Sequence, residues 1–291
     1  MIKPVIGKGN VITHRGLEPS RKNFYSESSL EAFASQLSRG FGGIEFDPNV
    51  TSDGIIVMHD ATLARITGGK DSRPVSEIST SEVTNISLSK GTIPTFEQVL
   101  DLVKKSRGSI NSLHLKARFQ TTSMLAKIIE TLASYKEIFP KLLIFDVKPS
   151  TAHVLKNEFP TLRLACSVAH PYDIKRYGAL IGDTLFTIDQ VLKLRSEGLI
   201  EGVWVDEWDK VGPKGSRKIF YTKENFDQLH VAGLFISIAA PELHGTSPGL
   251  YGGESHEDAR DIETLFTRIK QIKEAGADYF CTDYPEEVAK L

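Results

Sequence analysis

The chain has 291 residues, of which 40% are hydrophobic and 25% are charged, and its formal net charge is −2. These values are ordinary for a globular protein and give no reason to expect binding to nucleic acid. No segment reaches the ~18 uninterrupted apolar residues of a membrane span, and no basic start followed by a long apolar segment marks a secretory signal. We therefore expect a cytoplasmic protein without integral membrane association, and the sequence leaves its oligomeric state open.

Three short apolar runs near the N-terminus each end in charged or titratable residues. A run of four or five apolar residues is typical of a buried strand, and parallel α/β proteins place their chemistry where such strands end. We therefore predict a functional site at these ends. The runs are Val11-Ile12-Thr13-His14-Arg15-Gly16, Gly43-Ile44-Glu45-Phe46-Asp47 and Ile55-Ile56-Val57-Met58-His59-Asp60.

The segments between these runs differ in kind. Ser28-x-x-Glu31 matches a capping box, and apolar residues at 30, 33, 34 and 37 then predict a helix that starts after Ser28. Residues 50–58 leave no room for a helix, because Ser52-Asp53-Gly54 is a turn signal. We therefore expect a small hairpin that carries His59 over the mouth of the fold.

Six further strand candidates alternate with amphipathic helical patterns. With the two strands that end at His14 and Asp47, they make eight. An eight-stranded parallel barrel is the natural closure of such a pattern, and barrels of about 250 residues commonly form one unit. We predict one α/β domain over residues 1–291, a (β/α)8 TIM barrel. The six candidates are residues 112–116, 142–147, 163–168, 202–206, 234–239 and 279–283.

The residues at the first strand ends indicate their chemistry. Glu45 and Asp47 are two apart, so on a strand they point to one face and can hold one ion together. Hard divalent cations such as Mg²⁺ and Ca²⁺ take carboxylate oxygens. The histidines His14 and His59 titrate near neutrality and suit proton transfer, and the guanidinium of Arg15 suits an anion with several oxygens. Together these groups indicate phosphoryl chemistry.

The same residues resemble the glycerophosphodiester phosphodiesterase family. The resemblance is dense up to about residue 116 and returns at Thr282-Asp283-Tyr284-Pro285. It is carried by His14-Arg15-Gly16, the helix start from Glu27-Ser28 to Phe33, Glu45-x-Asp47, Thr51-Ser52-Asp53-Gly54 leading to His59-Asp60, Arg65, and Ile93-Pro94-Thr95-Phe96-Glu97.

The resemblance implies a metal-dependent phosphodiesterase on a TIM barrel. Its substrate would be a small glycerophosphodiester-like molecule, which it would split into a phosphomonoester and an alcohol. In the family the matching histidines shuttle the protons, which implies this role for His14 and His59. Arg15 and Lys116 would bind the phosphate, and the divalent ion would be Mg²⁺ or Ca²⁺.

Two positions depart from the family pattern. The family has Glu-x-Lys at the third strand, where the glutamate completes the metal shell, and this chain has His114 there. An imidazole ligand removes a negative charge and shifts the preference toward Mn²⁺ or Zn²⁺. Asp146, at the end of the next strand, is the alternative ligand.

The second departure concerns the alcohol side of the pocket. The family usually ends its seventh strand with Trp-Thr-x-Asn, whereas this chain runs from Ile236-Ser237-Ile238-Ala239-Ala240 into Pro241-Glu242-Leu243-His244. We expect Glu242 and His244 at the substrate rim, together with Trp208 after the sixth strand. Each of the three is also compatible with a rim or packing role without chemistry.

Other functions remain open from the sequence. The departing substrate motifs are compatible with a diester linked to a surface polysaccharide. A barrel that has lost one metal ligand could instead bind phosphodiesters without turnover. A third alternative is an aldolase-type lyase that forms a Schiff base at Lys116, which would leave Glu45 and Asp47 unexplained.

Overall fold

Eight parallel strands close into a barrel, as predicted. The computed structural model describes residues 5–244 and 256–291, with the side chain of His244 also outside the description. In hydrogen-bonding order the barrel strands are β1, β2, β5, β6, β7, β9, β10 and β11, and β11 pairs with β1 to complete the ring. The strands are β1 Val11–His14, β2 Gly43–Phe46, β3 Pro48–Val50, β4 Ile55–Val57, β5 Asn111–His114, β6 Leu142–Phe145, β7 Arg163–Ala169, β8 Leu185–Phe186, β9 Gly202–Asp206, β10 Phe235–Ala239 and β11 Tyr279–Thr282.

Helices follow the barrel strands and cover the outside of the barrel. No helix of the described residues is long and apolar enough to cross a bilayer. The helices are α1 Leu30–Ser38, α2 Thr80–Thr84, α3 Phe96–Lys105, α4 Thr122–Ala133, α5 Pro149–Glu158, α6 Pro171–Tyr177, α7 Ile188–Ser196, α8 Lys223–Val231, α9 Ile262–Ala275 and α10 Pro285–Val288.

Local sequence explains most helix starts, with one correction. α3 begins with a complete capping box in which Thr95 and Gln98 bond each other's backbone N–H groups. The capping box predicted at Ser28 is wrong. The N-cap is Ser29, whose hydroxyl accepts from the Ala32 N–H group, and the Glu31 carboxylate accepts from the backbone of Thr92 instead.

Two small features interrupt the barrel. The predicted hairpin is present, since β3 and β4 pair in antiparallel fashion outside the barrel sheet. The two-residue strand β8 was not predicted. β6 pairs with the first residues of β7, and β8 pairs with the last residues of β7. At the C-terminal end of the barrel, β8 is therefore the strand bonded to this edge of β7. β6 and β7 therefore pair only near the start of β7.

The core has layers inside and outside the barrel. The inner cluster lies within the ring of strands, while a larger cluster joins the strands to the helices. Gly43 allows β2 to lie against β5, because a Cβ at this position would come within 2.0 Å of the Ile110 carbonyl oxygen. The inner cluster comprises Ile12, Ile110, Leu143, Phe145, Ala165, Trp204, Ala239 and Cys281.

Candidate active site

A cavity of about 660 Å³ opens at the C-terminal ends of the barrel strands. It brings together most of the residues that the sequence analysis singled out, although they come from widely separated parts of the chain. Asp47 is buried directly beneath them, with its side chain 1% exposed. The predicted residues that line the cavity are His14, Arg15, Glu45, His59, His114, Lys116, Asp146 and Trp208.

The carboxylates of Glu45 and Asp47 form an electrostatically strained pair. Burial and the neighbouring Asp47 raise the pKa of Glu45 to about 8. Although burial opposes it, the charge of Lys116 holds the pKa of Asp47 well below its usual range, and His114 contributes to the same effect. The carboxylate oxygens of Glu45 and Asp47 lie within 4.8 Å of each other. Because two buried negative charges at this distance repel each other, a cation bound between them is favoured.

The donor set fits a divalent metal ion. Glu45, Asp47 and His114 each offer one ligand atom, and these atoms lie within 4.8 Å of one another. Oδ2 of Asp47 accepts no hydrogen bond from the described residues and lies 3.6 Å from Arg15 Nε. Two carboxylates and an imidazole are a common set for divalent cations, with the imidazole shifting the preference toward Mn²⁺ or Zn²⁺.

His114 bridges two carboxylates. Its Nδ1 lies 3.0 Å from Asp47 Oδ1, and its Nε2 lies 3.4 Å from Asp146 Oδ2. Although burial lowers it, these two contacts raise the pKa of His114 to about 9. The imidazolium therefore donates from both nitrogens, and it would have to release a proton to ligate a metal. His114 and Asp146, the two residues predicted as alternatives for the third metal ligand, are thus in contact with each other beside Asp47.

His14 is oriented by a carboxylate from the last strand. Its Nδ1 lies 2.8 Å from Asp283 Oδ1, and the two side chains are only 9% and 2% exposed. With Nδ1–H donated to Asp283, Nε2 is the nitrogen left to exchange a proton. Burial and the adjacent Arg15 lower the pKa of His14 well below its ordinary value, so the imidazole is neutral at pH 7.

Glu242 supports this pair from behind. Its Oε1 accepts from the Thr282 hydroxyl and, at 3.1 Å, from the backbone N–H of Asp283. Burial and the charge of Asp283 raise the pKa of Glu242 to about 7. Glu242 is thus buried beside β11 and is not among the residues that line the cavity.

His59 is oriented in the same manner from the hairpin side. Its Nδ1 lies 2.7 Å from Asp60 Oδ1, and Arg65 donates to the other oxygen of Asp60. The contacts with His59 and Arg65 hold the pKa of Asp60 well below its usual range. Burial lowers the pKa of His59 to about 4, so this imidazole is also neutral at pH 7.

Two cations line the same cavity as the histidines. Lys116 Nζ lies 3.0 Å from Asp47 Oδ1 and donates to the carbonyl oxygen of His59 at 2.7 Å. Arg15 has a left-handed backbone, with φ of 50°, and its guanidinium lies 3.8 Å from Glu27. Both cations are largely buried, where a charge is costly unless it is paired, and both reach the cavity.

The rest of the cavity wall is mainly apolar, and of its four aromatic residues only Trp208 was predicted. Phe145 stacks on Trp204 with ring centroids 3.9 Å apart, and Tyr177 stacks on Trp208 at 4.9 Å. Phe145 and Trp204 lie within apolar runs, which offered no signal to separate them from ordinary core residues. Ser167 and Asp206 also line the cavity as polar groups. Leu180 and neighbouring aliphatic side chains continue this wall toward the mouth.

A second acid and histidine group in the described part of the chain is a structural network. Glu207, His256 and Asp258 lie close enough to share an ion. However, Arg268 contacts both Glu207 and Asp258, and Lys210 pairs with Asp258. Glu207 and Asp258 are therefore already paired with Arg268 and Lys210, and these buried ion pairs connect loops to the barrel.

Comparison with known proteins gives consistent matches. The model of the glycerophosphoryl diester phosphodiesterase family matches residues 14–172. A glycerophosphodiester phosphodiesterase of Bacillus altitudinis is 26% identical over 164 residues, which cover 53% of this chain and 64% of the relative. The chain thus spans less than two thirds of the length of this curated relative.

Solved structures share the fold at lower sequence identity. A candidate glycerophosphodiester phosphodiesterase from Galdieria sulphuraria superimposes with a TM-score of 0.67 at 17% identity, covering 98% of this chain and 97% of its own. A phosphodiesterase from Oleispira antarctica, solved with the product sn-glycerol-3-phosphate, gives 0.60 at 16% identity and covers 96% and 94%.

Proposed function

Because the chain belongs to the glycerophosphoryl diester phosphodiesterase family, we propose that it hydrolyses a small glycerophosphodiester-like substrate to a phosphomonoester and an alcohol. The observation that carries this proposal is that one cavity is lined by two histidines, each held by its own carboxylate, together with two largely buried cations. The names of the Bacillus relative and of the product-bound Oleispira structure support the same substrate class.

The metal would be held by Glu45, Asp47 and His114, with Asp146 beside them. A divalent ion bound there would polarise a phosphate oxygen and neutralise charge on the diester. Because one family glutamate is replaced by His114, Mn²⁺ or Zn²⁺ is favoured over Mg²⁺ or Ca²⁺.

The chain's own cations hold the phosphate. Arg15 offers a planar fork that can bond two phosphate oxygens at once, and Lys116 offers a compact charge next to Asp47. Both are positioned by buried carboxylates, so little reorganisation is needed when the diester enters.

The histidines move the protons. His14 and His59 each donate Nδ1–H to a carboxylate, so each presents Nε2 for proton exchange. One imidazole accepts the proton of the attacking water. The other, protonated when the diester anion raises its pKa, donates to the leaving alcohol oxygen.

The test is turnover of a diester panel by protein that is stripped with EDTA and reloaded separately with Mg²⁺, Ca²⁺, Mn²⁺ and Zn²⁺. The panel includes glycerophosphocholine, glycerophosphoglycerol and a sugar-linked diester. We expect one ion to restore turnover, with His14→Ala and His59→Ala each inactive. His153→Ala is the matched control, because His153 is exposed on α5. Equal turnover in all three variants would overturn the proposal.

A further inference from the structure

A third cation, Arg118, also lines the cavity. It lies in the short turn Ala117–Phe119, which follows Lys116 and the end of β5. The guanidinium carbon lies 4.7 Å from the centroid of the Phe119 ring, and this ring is buried. Because the face of an aromatic ring attracts a cation, the neighbouring Phe119 helps to fix the position of the guanidinium.

Arg118 and Lys116 share one acceptor. The carbonyl oxygen of His59 accepts from Lys116 Nζ at 2.7 Å and, at the longer distance of 3.5 Å, from Arg118 Nη2. This is the only hydrogen bond that the guanidinium donates to the described residues, although a guanidinium has five N–H groups. Arg118 therefore has donors left for a ligand.

The charge of Arg118 is also less well matched than the charges of the other two cations. Arg15 and Lys116 each lie within ion-pair distance of Asp47, whereas Arg118 forms no ion pair with any carboxylate in residues 5–244 and 256–291. Burial lowers the pKa of Arg118, although the charges of Asp47 and Asp60 oppose this effect. The neighbouring acids thus do not offset the cost of desolvating the guanidinium, and an anionic ligand would.

A ligand can reach Arg118, because part of its side chain is exposed to solvent at the cavity mouth. Lys116 and Arg118 approach the same carbonyl oxygen, so an anion on Arg118 would lie close to a phosphate held by Lys116. The planar fork of arginine matches the oxygens of a carboxylate or a phosphate, which it can bond two at a time.

We propose that the head group of the substrate carries an anionic group of its own, a carboxylate or a second phosphate, and that Arg118 binds this group beside Lys116. The substrate class is then a glycerophosphodiester with a second negative charge. This inference rests on the proposed function, since it assumes that Lys116 holds the phosphate of the diester.

Matched pairs of ligands isolate the second charge. Glycerophosphoserine differs from glycerophosphoethanolamine by one carboxylate, and phosphorylated glycerophosphoglycerol differs from glycerophosphoglycerol by one phosphate. Kd would be measured on metal-reloaded His14→Ala protein from the fluorescence of Trp204 and Trp208, the two tryptophans of the chain, which both line the cavity. We expect the charged member of one pair to bind roughly 3- to 10-fold more tightly, as for a partly exposed bidentate pair. The pair that shows this difference identifies the anionic group, and equal Kd values within both pairs would overturn the inference.

Substitutions test whether Arg118 causes the preference. Arg118→Gln should abolish the difference within the pair, and Arg118→Glu should reverse it. Arg107→Gln is the matched control and should preserve the difference, because Arg107 is exposed and precedes β5 at the opposite end of the barrel. If Arg118→Gln weakened both members of a pair by the same factor, Arg118 would be a further ligand of the diester phosphate and the inference would be wrong.

Turnover of the same four diesters by the metal-loaded wild-type protein separates the two proposals. A higher kcat/KM for the charged member, lost in Arg118→Gln, would support both. A preference in Kd that depends on Arg118, without cleavage of any diester, would support the anion site and reject the proposed function. Cleavage of all four diesters with equal kcat/KM within each pair would reject the anion site and retain the function.

Discussion

Replacing Asp283 with asparagine would remove the carboxylate that orients His14. The contact from His14 Nδ1 to Asp283 Oδ1 is 2.8 Å and is almost fully buried. Burial raises the pKa of Asp283 to about 7, so it is a charged partner above that pH, where the assay is run. A hydrogen bond to a charged partner contributes about 1.5–3 kcal/mol, which corresponds to a roughly 10- to 150-fold loss of kcat at 1.36 kcal/mol per decade. The asparagine amide can also donate to Nδ1, which would leave the proton on the wrong nitrogen.

The assay is steady-state hydrolysis of the best diester, with kcat and KM measured separately. We expect kcat to fall while KM changes little, because Asp283 acts through His14 and does not line the cavity. Asp278→Asn is the matched control. Asp278 precedes β11, and its Oδ2 lies 2.9 Å from His230 Nε2 at the opposite end of the barrel. A kcat unchanged in Asp283→Asn, or reduced equally in Asp278→Asn, would refute the reasoning.

Three further predictions concern pH, the barrel wall and the phosphate site. Burial lowers the pKa of His59 from 6.5 to about 4. The unfolded chain therefore takes up this proton first, and the contribution of His59 to the free energy of unfolding, which is intact above pH 6.5, falls by about 3 kcal/mol toward pH 4. Glu45, Glu242 and Asp283 have raised pKa values and act in the opposite direction, so the test compares wild type with His59→Gln. Denaturant unfolding of the EDTA-treated proteins should show that wild type loses about 3 kcal/mol more than the variant between pH 7 and pH 4. Gly43→Ala should cost about 3 kcal/mol by overpacking against Ile110, seen as a lower Tm, whereas Gly9→Ala, which has open space, should not. Lys116→Ala should lower kcat about 100-fold, and Lys116→Arg should recover part of it; wild-type kcat in Lys116→Ala would contradict its role at the phosphate.

Strand ends were predictable because their signals are local. Short apolar runs ending in charged residues located β1 and β2, and the turn at Ser52-Asp53-Gly54 located the hairpin. Parallel strands that close into a barrel bring their C-terminal ends together, so the clustering of His14 with Glu45 and Lys116 followed from the fold class alone.

Features that depend on distant contacts were not predictable. Asp283 reaches His14 across 269 positions of sequence, and no local pattern marks that partnership. Glu242 was expected at the substrate rim, but the turn after β10 directs it toward β11. The strand β8 has only two residues, too few for a periodic pattern.

The helix start near residue 28 shows a conflict between local and tertiary bonds. The pattern Ser28-x-x-Glu31 is compatible with a capping box, but Ser28 has φ of 56°. The Glu31 carboxylate bonds the backbone of Thr92 from the loop before α3. The cap therefore moves one residue to Ser29.

Hydrolysis of the diester is tested most directly by ³¹P NMR of a glycerophosphodiester incubated with the metal-reloaded protein. We expect the diester resonance to be replaced by that of a phosphomonoester, and this conversion to be lost in His14→Ala. An unchanged diester resonance in the presence of folded protein with metal bound would contradict it. So would accumulation of a cyclic phosphate as the final product, because hydrolysis by water would then not be the reaction.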